Sequence, residues 1–145
     1  MANTTATRTS LTTKINDNTS QDVTPLDVRD VFVSTLDVID DYAKGEIAGE
    51  FTAPGNRAYV LQLSAPYTYT ITSLVTQTTA GTATVTVAIN GTTVTGLGSI
   101  AVGTTLTTST ATALNAVAAG AKVTLTFSNV TGTSEFCYSL RYTRT

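Results

Sequence analysis

Three aspartates, Asp37, Asp40 and Asp41, stand at i, i+3 and i+4, so a helix there would gather their carboxylates on one face. Such a face could hold a cation weakly, but a solvated acidic helix needs no ligand to account for it. Upstream, Asn16, Asn18, Ser20, Thr24 and Asp27 fall at the spacing of a calcium loop's side-chain ligands. The pattern fails at two positions: Gln21 replaces the glycine of the sharp turn, and Asp27 is too short to replace the bidentate glutamate. Nucleophilic catalysis fares no better. The chain has no histidine to act as a base, and Cys137 has no thiolate-stabilising neighbour in sequence. One cysteine and no histidine also leave a zinc site without ligands. The expectation is a protein that is not an enzyme and holds no metal or other cofactor.

The tyrosines are the remaining chemical feature. Tyr67 and Tyr69 alternate on one stretch, as Tyr138 and Tyr142 do on another. Tyrosines so placed can form a sugar-stacking platform, or line the sandwich core or an inter-subunit wall. The absence of tryptophan favours the wall.

Composition says what kind of scaffold must carry these residues. Threonine accounts for 34 of the 145 residues, while charged residues make up only 12%. Threonine is β-branched, so it suits a pleated strand, and its hydroxyl wets a surface without charge. The class expected is all-β. The charges are unevenly spread: residues 1–50 carry nine acids and four bases, residues 51–145 one acid and four bases. Neither part has the basic patch of a nucleic-acid binder. No window is apolar enough to span a membrane, and the N-terminus does not read as a secretory signal, so a cytoplasmic product is expected. Four Asn-x-Ser/Thr triplets, at Asn3, Asn18, Asn90 and Asn129, are about what this Ser/Thr content yields by chance.

Three segments follow from periodicity. Residues 1–22 are polar and of low complexity, with Leu11 and Ile15 isolated, and would be ordered only against a partner. Residues 23–45 read as one amphipathic helix of roughly 30 Å. Thr24 would cap it, Pro25 suits its first position, and Lys44 and Gly45 would close it. Val28, Phe32, Thr35 or Leu36, Ile39 and Tyr42 or Ala43 recur at spacings of three and four, giving a stripe that could cover a sheet or bundle with sister helices.

Residues 46–145 read as strand after strand. Runs 57–64 and 67–78 alternate apolar and polar, and Thr82–Ile89 does so strictly before Asn90-Gly91, the dipeptide of a two-residue type I′ hairpin. Further strands are expected at 92–95, 99–102, 104–109, 122–128 and 136–143, with 113–118 ambiguous. In the last strand Phe136, Tyr138, Leu140 and Tyr142 share one face. Seven to nine short strands at this spacing predict an antiparallel β-sandwich, jelly-roll-like, behind an extended arm and a helix.

The stretch Ile15–Phe32, with Asp17-Asn18, Thr24-Pro25 and Asp27-Val28-Arg29-Asp30, resembles the N-terminal segment of small tailed-phage virion proteins. The runs Val117–Thr126 and Tyr138–Thr143 look like the last strands of jelly-roll modules in phage fibres and head decorations. The resemblance implies a virion protein, made in the host cytoplasm, with an N-terminal attachment segment and an oligomeric β-domain. A capsid decoration (cement) protein or short head fibre is the leading expectation. Its partners would be itself, as trimer or dimer, and the major capsid protein, through Leu11, Ile15, Val28, Phe32, Leu36, Ile39 and Tyr42. The alternative is a tail-associated adaptor or small tail fibre whose β-domain binds a host glycan.

Overall fold

The computed structural model describes residues 43–145. The arm and nearly all of the expected helix lie outside the described residues. Ten strands follow in order: β1 (Lys44–Thr52), β2 (Ala58–Gln62), β3 (Tyr69–Thr78), β4 (Thr82–Ile89) and β5 (Thr92–Thr93) come first. Then come β6 (Ile100–Val102), β7 (Thr107–Thr110), β8 (Ala116–Val117), β9 (Val123–Thr131) and β10 (Glu135–Arg144). All pairings are antiparallel.

One sheet runs β1-β10-β3-β7, with β8 also on β3; the other runs β2-β9-β4-β5, with β6 also on β4. The chain switches sheets at each of its first three connections and again on the way back. With β5/β6 and β7/β8 each taken as one broken position, this is a jelly-roll order. Both sheets feed a single core, in which Ile71, Leu74 and Leu140 of one meet Val85, Val87, Leu125 and Phe127 of the other.

Local sequence explains most of this. In β4 the odd positions Ala83, Val85 and Val87 are buried and the threonines between them are half-exposed or exposed. At its end Asn90 and Gly91 both take positive φ, 49° and 87°, as a type I′ turn requires. Strand β3 begins with the same alternation, burying Tyr69 and Ile71, and then changes phase to bury Leu74, Thr76 and Thr78. The register against β10 slips there: Arg141 faces Ser73 but Tyr142 faces Ile71, so Thr72 is a bulge.

The boundary between helix and sandwich differs from expectation. Lys44 and Gly45, read as the last turn and stop of the helix, belong to β1. The strand is set by tertiary pairing: Lys44 through Thr52 stays in register with Thr143 back to Glu135 without a slip.

Candidate functional site

The interface residues expected from sequence, Leu11, Ile15, Val28, Phe32, Leu36, Ile39 and Tyr42, all lie outside the described residues. So do Asp37, Asp40, Asp41 and the calcium-like spacing. Within 43–145, no group of three His, Cys, Asp or Glu side chains could hold a metal. Cys137 is exposed, on the outer face of β10, opposite Glu50 on one side and Gln77 on the other.

The tyrosines are used for construction. Tyr69 is 1% exposed, and its hydroxyl donates to Gln62 Oε1. Burial pushes its pKa up to about 12, with the neighbouring Tyr142 and Tyr67 adding to the effect. The hydroxyls of Tyr67 and Tyr142 share a hydrogen bond of 2.8 Å, and Arg144 Nη2 donates to Tyr67 at 2.9 Å. The Arg144 guanidinium also stacks 4.2 Å from the Tyr67 ring centroid. Tyr67 is held below its ordinary pKa, first by the hydrogen bond with Tyr142 and then by Arg144. The same bond raises Tyr142. A second cluster sits around Phe51, whose ring lies 4.5 Å from Tyr59 and 5.4 Å from Tyr138. Phe51 comes from one sheet and Tyr59 from the other, so the contact joins the sheets beside β1.

Open grooves among the described residues include two on the sheet surfaces. One, of about 640 Å³, runs over the outer face of the second sheet and is lined by Thr86, Thr124, Thr126, Ala88, Asn90 and Lys122 among others. Its hydroxyls are ordered by the ladder: Thr86 stands opposite Thr126, and Thr124 opposite Ala88. The other, of about 460 Å³, lies at the β3 bulge beside Gly45, Glu46, Arg141 and Tyr142. The second has one aromatic residue in its lining, Tyr142, and the first has none. Among the described residues, four large apolar side chains face solvent: Val60, Leu63, Leu106 and Leu114, between 52% and 76% exposed.

The feature missed from sequence is β1. Its inward positions are Gly45, Ile47, Gly49 and Phe51, facing Tyr142, Leu140, Tyr138 and Phe136. Tyr142 fills the place of a side chain at Gly45, and Tyr138 does so at Gly49. A two-residue period was present, but glycines hid half of it.

No family model matches the sequence, and no curated protein does. Solved structures give partial likenesses. A chain of the T13 particle of IBDV (infectious bursal disease virus) aligns with TM-score 0.45 and 17% identity, over 70% of this chain and 30% of that one. The carbohydrate-binding module CBM36, solved with calcium and xylotriose, aligns with TM-score 0.42 and 25% identity, over 70% and 98%. A chain of the cyanophage Pam1 capsid aligns with TM-score 0.36 and 15% identity, over 70% and 82%. The described domain thus spans about a third of the viral chain given first and nearly all of the carbohydrate-binding module.

Proposed function

We propose that this is a non-enzymatic structural protein of a tailed-phage particle, a capsid decoration protein or short head fibre that works by contact with sister copies and the shell. The observation that supports it is the character of the domain's surface. Only eight of residues 43–145 are charged, threonine hydroxyls tile the outer sheet face, and Leu63, Leu106 and Leu114 stand exposed. Depletion of charge is the compositional mark of the centre of a protein–protein contact. The resemblance of residues 15–32 to phage attachment segments points the same way.

A cement protein stiffens a shell by burying area between its units, so its loss lowers resistance to internal DNA pressure. Particles lacking the protein should release DNA at a lower temperature than intact ones, and adding the purified chain back should restore them. Unchanged heat release together with lost adsorption would replace this reading with the tail-adaptor one.

A further inference from the structure

The four edges of the two sheets are not alike. Strand β2 has five residues and a register slip between Val60 and Gln62, while β5, β6, β7 and β8 have two to four residues each. Short or irregular edges are how β proteins avoid edge-to-edge pairing. Strand β1 has nine residues, no proline and an unbroken register, and among the described residues it pairs with β10 alone.

The direction of its bonding groups can be worked out. The Thr79 N–H donates to the Glu135 carbonyl and the Ala53 N–H to the Ser134 carbonyl. Odd positions of β10 therefore bond to β3, and even ones, from Phe136 to Tyr142, bond to the odd positions of β1. Glu46, Ala48 and Glu50 consequently turn their N–H and C=O groups away from β10.

We infer that this edge pairs with the same edge of a second copy, antiparallel about a two-fold axis at Ile47, to make one continuous sheet. This deepens the self-associating reading above and rests on it. The charges select the register. An axis at Ala48 would set Glu46 opposite Glu50 twice, whereas an axis at Ile47 sets Glu46 opposite Ala48 and Glu50 opposite Lys44. It also brings the two half-buried Ile47 side chains together, extending the apolar strip of the inner face. The approach meets little bulk, because Gly45 and Gly49 face each other across the axis.

Ile47 would face its own copy in a non-hydrogen-bonded pair, with Cα atoms about 4.5 Å apart, within disulfide reach. In the full chain with Cys137→Ser, Ile47→Cys should form a covalent dimer on mild oxidation, and Thr52→Cys should not. Light scattering should give a dimer for the unmodified chain. Ala48→Pro removes only an outward N–H, so it should give a monomer with an unchanged circular dichroism spectrum. A monomeric or trimeric unmodified chain, or equal cross-linking at 47 and 52, overturns the edge pairing. If that chain still binds particles, the structural reading survives the loss of this inference; if neither dimer nor particle binding is found, both fail.

Discussion

Tyr142 occupies the space of the missing side chain at Gly45: a Cβ there would clash with the tyrosine ring. The same ring is fixed by its hydrogen bond to Tyr67 and by contact with Tyr69 at 4.5 Å between centroids, so it cannot swing aside without loss. A glycine on an edge strand is thus tied to the tyrosine cluster between the sheets. Gly45→Ala should destabilise the domain by about 1–3 kcal/mol, the usual cost of overpacking. In a Tyr142→Ala background the same change should cost almost nothing. Denaturant titration of the four proteins gives the coupling directly, and additive effects would show that the two residues are independent.

Thr76 presents the opposite situation. It is 1% exposed on the inward face of β3, and its hydroxyl has no hydrogen-bond partner among the described residues. A buried hydroxyl without a partner loses its hydration for nothing. Thr76→Val keeps the shape and removes the penalty, so it should raise stability by about 1 kcal/mol. An increase in the urea midpoint at constant slope checks this.

The buried Tyr69 phenol makes stability depend on alkaline pH. Its folded pKa, about 12, lies above the ordinary value of 10.0. Below pH 10 both folded and unfolded phenols keep their proton, and the contribution is fully present. Above it the unfolded chain ionises first, so stability falls as pH rises towards 12. A Tyr69→Phe variant should lose less stability over that interval, measured by urea unfolding at pH 9 and about pH 11.

Leu106 and Leu63 project into solvent at 63% and 76% exposure, so neither supports the fold of an isolated domain. Leu63→Glu and Leu106→Glu should change its stability by no more than about 0.5 kcal/mol. Under the structural role proposed, they should weaken binding to particles stripped of the protein. Co-sedimentation with such particles, beside a melting curve of each variant, separates the two effects.

How far the sequence foretold this domain varied with local signal. Strand β4 and its turn were legible because Thr82–Val87 alternates strictly and Asn90-Gly91 admits positive φ. The inward set Phe136, Tyr138, Leu140 and Tyr142 was legible for the same reason. The phase change at Thr72 was not, since the bulge depends on pairing with β10, a strand about seventy residues away. Strand β1 went unread because Gly45 and Gly49 carry no apolar signal; their partners supply it from Tyr142 and Tyr138. The ends of β5 to β8 shifted because their Thr-, Ala- and Gly-rich runs have no clear period. Of the candidate site, the stripe from Leu11 to Tyr42 lies outside the described residues, while of the core and inter-subunit wall expected for the tyrosines, Tyr69 lies in the core and Tyr67, Tyr138 and Tyr142 pack against it.

The most direct test of a structural role is stoichiometry in purified particles. Quantitative mass spectrometry against the major capsid protein should find this chain in a fixed ratio amounting to hundreds of copies per head, as a symmetric shell demands. About a dozen copies, confined to the tail, or none at all in the particle, would contradict it.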